Sequence, residues 1–94
     1  MLIIAERINA SRKTIARAIE TGDRGFIQNE AKTQTEAGAH YIDVNAGTFV
    51  GEEAKKIEWI VEAVQEVSDL PLSIDSPDPE VIRAMMPLLK KPPI

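Results

Sequence analysis

Cysteine is absent from this chain, and histidine occurs once, at His40. Without cysteine the chain forms no disulfide and offers no thiolate to a metal, and one imidazole argues against a histidine-based metal centre. Basic residues are outnumbered, with 11 Lys and Arg against 15 Asp and Glu, so no basic stripe is present to neutralise nucleic-acid phosphates. No apolar run approaches the ~20 residues of a membrane-spanning helix. These absences argue against thiolate-metal, nucleic-acid-binding and membrane-spanning proteins.

The remaining composition is that of a small globular protein. Its 94 residues are enough for one domain, and a content of 44% hydrophobic and 28% charged residues is ordinary for a soluble fold. Glu6 and Arg7 introduce charge too early for a secretory signal peptide. The expected compartment is therefore the cytoplasm.

Apolar spacing and turn residues predict an alternation of strands and helices. Strands are expected over residues 2–6, 40–46 and 71–75. Helices are expected over residues 12–20, 24–37, 51–68 and 79–89. The expected N-caps are Ser11, Asp23 and Asp78, and Pro87 is expected to kink or end the last helix. Strands separated by helices pair in parallel through right-handed crossovers, which predicts an α/β fold.

Each predicted strand carries a carboxylate near its C-terminal end: Glu6, Asp43 and Asp75. The carboxyl ends of parallel strands meet at one edge of the sheet, where α/β proteins place ligand sites. A carboxylate buried without partners is costly, so these acids are expected to pair or to line a polar cavity. Asn45 and Asn9 add amides at this edge. Such a set suits a neutral or cationic ligand with several N–H donors, or a divalent metal held by oxygens.

Alternation along the second strand separates its two faces. Ile42 and Val44 are expected against the helices, whereas Tyr41, Asp43 and Asn45 are expected on the opposite face. In the third strand, Leu72 and Ile74 are expected on one face and Ser73 and Asp75 on the other. In the first strand, Glu6 is expected on the same face as Leu2 and Ile4.

Purely structural roles are the alternative for the same residues. Asp43 is able to accept hydrogen bonds from backbone amides of its own loop, and Glu6 is able to pair with Arg7 or a lysine. Asn9 and Ser11 are both suited to capping the first helix. The residue types alone leave these alternatives open.

Three segments resemble the pterin-binding methyltransferase family: AERIN at 5–9, EAGAHYIDVNAG at 36–47 and LSIDSPDPE at 72–80. This family includes methyltetrahydrofolate:corrinoid methyltransferases, the folate domain of cobalamin-dependent methionine synthase and, more distantly, dihydropteroate synthase. The resemblance follows nearly the whole chain in order, and ERIN favours the methyltransferase branch. Ala5 departs from the family pattern, which usually has glycine before the glutamate.

The resemblance implies a (β/α)8 barrel that binds methyltetrahydrofolate at its C-terminal face. A complete barrel needs about 250 residues, so residues 1–94 correspond to its N-terminal part, about three βα units. The acid matching Asp75 hydrogen-bonds the pterin ring in this family. Asn9, Asp43 and Asn45 are expected in or beside the same mouth, and Glu6 completes the set of candidate pterin-binding residues.

The implied reaction moves a methyl group between N5 of tetrahydrofolate and the cobalt of a corrinoid (cobalamin) held on a separate protein. In the family, an asparagine on a later strand assists at N5, and that strand is not in this chain. The chain alone is therefore expected to be inactive and to hold no catalytic residue. The alternatives are a dihydropteroate synthase-like enzyme, a carboxylate-metal barrel lyase and a non-catalytic partial barrel.

Partial barrels have exposed strand edges. Such edges are templates for pairing with another chain, so an ordered form is expected to associate with other copies.

Overall fold

The computed structural model describes residues 4–9, 12–46, 51–76 and 78–90, and within 4–9 it describes the backbone and the Ile8 side chain. In chain order the elements are β1 (Ile4–Asn9), α1 (Lys13–Thr21), α2 (Arg24–Glu36), β2 (Tyr41–Asn45), α3 (Glu53–Gln65), β3 (Leu72–Ile74), α4 (Pro79–Met85) and a 3-10 turn (Met86–Leu88). These strands form a parallel sheet in the order β1-β2-β3. The predicted α/β class and the parallel pairing are confirmed.

The first strand extends further along the chain than predicted. The expected strand covered residues 2–6, whereas β1 ends at Asn9, whose Cα is paired with that of Asn45. The polar ERIN segment thus belongs to the strand, which apolar periodicity alone does not reveal. Asn9 is therefore a strand residue. The N-cap position of α1 is occupied by Arg12, without a side-chain capping bond, and Ser11, the predicted cap, lies outside the described residues.

A β-bulge interrupts the pairing of β1 with β2. Ala5 is paired with Ile42 and Ile8 with Val44, so β1 passes one more residue than β2 over the same span. Strict alternation, which placed Glu6 on a face, does not hold across such a bulge. The Glu6 side chain lies outside the described part of the chain, so its role stays a prediction.

The core lies between the sheet and the helices. Ile42 and Val44 are fully buried, while Tyr41, Asp43 and Asn45 of the same strand are half-buried. This alternation agrees with the prediction, because α1 and α2 contact β1 and α3 contacts β2. The largest other side chains buried in this core are Ile8, Ile15, Ile27, Ile57, Ile60, Val61, Val64 and Leu72.

Two predicted N-caps are confirmed. Asp23 accepts a hydrogen bond from the backbone N–H of Phe26 at 3.1 Å, and Asp78 accepts one from the N–H of Glu80 at 2.9 Å. These carboxylates satisfy N–H groups that have no partner within the helix. The helix that Asp78 starts gives way to the 3-10 turn containing Pro87, as expected for a residue without a backbone N–H.

A charged pair joins the start of α2 to the residue that follows α3. The Arg24 guanidinium donates to both carboxylate oxygens of Glu66. Gln28 Nε2 donates to Glu66 Oε1 at 2.8 Å and to the carbonyl of Ala63 at 3.0 Å. The hydrogen bond from Arg24, followed by that from Gln28, holds the pKa of Glu66 below its ordinary value of 4.5.

This lowered pKa predicts a pH-dependent contribution of Glu66 to stability. Because the folded state binds the Glu66 proton more weakly than the unfolded state, the contribution is present above the ordinary pKa of 4.5 and is lost as the pH falls through the lower, folded pKa. We expect Glu66→Gln to lower the thermal midpoint at about pH 7 and to have a smaller effect at about pH 3, below the ordinary pKa of 4.5. The effect should shrink in high salt, since the pair is exposed.

Circular dichroism melts at both pH values measure this difference. The matched control is Glu58→Gln, an exposed position of α3, which should behave alike at both pH values. A loss of equal size for Glu66→Gln at high and low pH would contradict the prediction.

Candidate functional site

The carboxyl edge of the sheet brings Asn45 and Asp75 together. Asn45 is the last residue of β2, and Asp75 directly follows β3. The Asp75 backbone N–H donates to the carbonyl of Val44 at 2.9 Å, which carries the parallel hydrogen bonding one residue past the strand. In addition, Asn45 Nδ2 donates to Asp75 Oδ2 at 3.2 Å. Two polar groups predicted at separate strand ends are thus hydrogen-bonded neighbours.

The Asp75 carboxylate has one oxygen to offer a ligand. Its side chain is exposed, and Oδ2 is held by Asn45. Oδ1 accepts no hydrogen bond from the residues that the structure describes. A carboxylate oxygen held at a known position is a strong acceptor for N–H groups. The arrangement suits a ligand that presents N–H donors to the edge of the sheet.

Asp43 lies on the same face, further from the edge. Its Cα is paired with that of Ser73 on β3, and both residues are half-buried. Asp43 is also engaged in an interaction within the protein. It is therefore a weaker candidate for direct ligand contact than Asp75.

The backbone register adds Asn9 to the same edge. Because Asn9 is paired with Asn45, and Asp75 follows the strand on the other side of β2, the three residues lie in a row across the sheet. The side chains of Asn9 and Glu6, two further predicted site residues, lie outside the described part of the chain.

A second polar contact ties the loop after β3 to the first turn of α3. Ser76 Oγ donates to Glu53 Oε1 at 3.0 Å and accepts from the N–H of Asp78 at 3.1 Å. Glu53 Oε2 is shielded from solvent and makes no hydrogen bond to any residue in the described ranges. Sequence reasoning missed Glu53, because it is one of several acids along this helix. The one signal available in the sequence was its position in the first turn of α3, the helix that follows β2.

Within residues 4–9, 12–46, 51–76 and 78–90, no group of three or more His, Cys, Asp or Glu side chains is placed to hold a metal ion. No helix in these ranges has both the length and the apolar character needed to cross a bilayer.

Comparison with known proteins identifies the family. A family model described as pterin binding enzyme matches residues 5–88. The chain belongs to the pterin-binding enzyme family. The resemblance drawn from ERIN, IDVNAG and SIDS is thereby confirmed, and Asn9, Asn45 and Asp75 all lie within the matched region.

This pterin-binding family member is also similar to a curated methyltransferase. It is 48% identical over 92 residues to the methylcorrinoid:tetrahydrofolate methyltransferase of Eubacterium limosum. The match covers 98% of this chain and 34% of that relative. The chain thus spans about a third of the length of the relative.

Proposed function

We propose that this chain is the pterin-recognising part of a methyltransferase that moves a methyl group between N5 of tetrahydrofolate and a protein-bound corrinoid. The observation that carries the proposal is the Asp75 carboxylate, anchored through Oδ2 by Asn45 at the carboxyl edge of a parallel sheet, with an Oδ1 that no described residue hydrogen-bonds. Membership of the pterin-binding family supports a pterin as that ligand. The similarity to a methylcorrinoid:tetrahydrofolate methyltransferase supports methyl transfer as the type of reaction.

The recognition chemistry follows from the hydrogen-bonding groups of the two partners. A reduced pterin presents an amino group and ring N–H groups along one edge, and an ionised carboxylate accepts from such donors. Asn45 holds Oδ2 of Asp75, so the free oxygen is oriented before the ligand arrives. Less rotational freedom is then lost on binding.

The part of the chemistry that this chain supplies is binding and orientation. A tertiary amine leaves poorly, so N5 needs a proton or a hydrogen bond during methyl transfer. In our proposal that group comes from residues beyond the third βα unit, and a separate corrinoid protein in the cytoplasm presents the cobalt. Residues 1–94 would then form the first three units of a (β/α)8 barrel, with Tyr41, Asp43 and Asn45 facing its interior.

A chimera tests the proposal. The 92 aligned residues of the E. limosum protein would be replaced by the corresponding residues of this chain, and methyl transfer from methylcob(III)alamin to tetrahydrofolate would be followed by the absorbance of the corrinoid. We expect activity from the chimera, a strong loss with Asp75→Asn, and none from the 94-residue chain alone.

The other outcomes separate the alternatives. A folded chimera that binds tetrahydrofolate without transferring methyl groups would favour a non-catalytic partial barrel or a dihydropteroate synthase-like activity. A folded chimera that binds no tetrahydrofolate would reject the proposal.

We also propose that the 94-residue chain associates with a second copy of itself. Within the described sheet, β1 and β3 each pair on one side only, and open parallel edges favour pairing with another chain. Size-exclusion chromatography with light scattering is expected to give a mass above the 10.4 kDa of one chain. A folded species that keeps the mass of one chain throughout a dilution series would contradict this prediction.

A further inference from the structure

The loop that carries Asp75 is hydrogen-bonded to the neighbouring helix α3. In this loop between β3 and α4, the hydroxyl of Ser76 makes two hydrogen bonds. It donates to Glu53 on α3 at 3.0 Å and accepts from the Asp78 backbone N–H at 3.1 Å. The Ser76 hydroxyl therefore uses both its donor and an acceptor position, and the direction of its hydrogen bond is set by the Glu53 carboxylate.

The Glu53 carboxylate makes fewer hydrogen bonds than is usual for a carboxylate with an oxygen shielded from solvent. Only Oε1 is bonded, while Oε2 is shielded from solvent without a hydrogen-bond partner in the described ranges. Leaving a shielded polar atom unpaired is unfavourable, so this contact is an inefficient way to stabilise a fold. Features that cost stability in this way are concentrated at functional sites.

Two hydrogen bonds hold the backbone on either side of the Asp75 side chain. The Asp75 backbone N–H is bonded to the Val44 carbonyl at 2.9 Å on one side, and Ser76 is bonded to Glu53 on the other. If the second bond is removed, the loop can rotate about the first, and the exposed carboxylate then samples more orientations. A binding group held less firmly by its surroundings binds less tightly.

We infer that Glu53 is a positioning residue, which acts on pterin recognition by fixing the loop that carries Asp75 and does not itself touch the ligand. The inference rests on the proposed function, because it names a determinant of the same site. It predicts that the effects of Glu53 and Asp75 on pterin affinity are coupled.

A double-mutant cycle on methyltetrahydrofolate affinity tests the coupling. Glu53→Ala is expected to weaken binding about 5-fold in the parent chain and less than about 2-fold in the Asp75→Asn background. Glu53→Gln keeps an oxygen that accepts from Ser76 and should retain most of the affinity. Glu52→Ala, at the exposed neighbouring position with no capping bond, is the matched control and should leave binding unchanged.

Nuclear magnetic resonance of the ligand-free chain gives an independent readout. The side-chain amide resonances of Asn45 report its hydrogen bond to Asp75. They should shift or broaden in Glu53→Ala and stay near their original positions in Glu53→Gln and Glu52→Ala. If Glu53→Ala does not fold, Ser76→Ala removes the same contact without altering α3.

The outcomes are distinguishable. Equal loss of affinity in both backgrounds, or unchanged Asn45 resonances in folded Glu53→Ala or Ser76→Ala, would overturn the positioning role and leave the proposed function standing. A parent chain that binds no pterin, with Asn45 resonances that respond to Glu53→Ala, would count against a pterin site in this chain while supporting the link between Glu53 and Asp75.

Discussion

Asp75→Asn is expected to weaken the binding of methyltetrahydrofolate by this chain about 10- to 100-fold, since hydrogen bonds to charged groups contribute about 1.5–3 kcal/mol. Asparagine has nearly the same shape, so the fold should be kept. It replaces an ionised carboxylate by an amide with one acceptor oxygen. If that oxygen keeps the bond from Asn45, an NH2 group faces the N–H donors of the pterin.

Isothermal titration calorimetry measures the change directly. The matched control is Asp69→Asn, another exposed aspartate, which lies in the loop before β3 and should bind as the parent does. Equal affinity of Asp75→Asn and the parent would remove Asp75 from the site. Absence of binding heat from a folded parent chain would reject a pterin site formed by residues 1–94 alone.

Ile42→Ala is expected to lower the free energy of unfolding by about 2–5 kcal/mol. Ile42 is 0% exposed and lies on β2, the central strand of the described sheet. Its truncation removes apolar burial and leaves a cavity that the neighbouring strands and helices are unable to fill completely. Because a domain has only about 5–15 kcal/mol of stability, the variant should lose a large part of it.

Urea denaturation followed by circular dichroism measures this loss. The same substitution at Ile82, which is half-buried on α4, is the control and should cost less than half as much, because part of the side chain is already in contact with water. Equal costs at the two positions would show that β2 is not central to the core.

The sequence predicted the polar edge of the sheet because a local alternation and the general rule of parallel pairing are together enough to place it. Alternating burial in β2 follows from Ile42 and Val44, and parallel pairing requires the ends of β2 and β3 to meet, which brings Asn45 to Asp75. The chemistry of these residues left open an N–H ligand or an oxygen-bound metal. The family motifs, now supported by the family match, favour the pterin.

Features that depend on pairing between distant segments were not predictable in the same way. The bulge between Ala5 and Ile8 exists only relative to β2, so a periodic pattern in β1 gives no sign of it. Likewise, the bond between Glu53 and Ser76 joins residues 23 positions apart. An acid in the first turn of a helix is already explained by the helix dipole, so the pattern did not indicate a tertiary role.

The contact between Asn45 and Asp75 spans 30 positions of the chain, and the unfolded ensemble therefore lacks the pair. A ligand that needs both residues binds the native state alone, so its binding free energy adds to the free energy of unfolding. At a ligand concentration of about 100 times Kd this linkage amounts to about 2.7 kcal/mol. Under the proposed function, a reduced pterin would therefore also stabilise the folded state, and the chain should become more resistant to proteolysis in its presence.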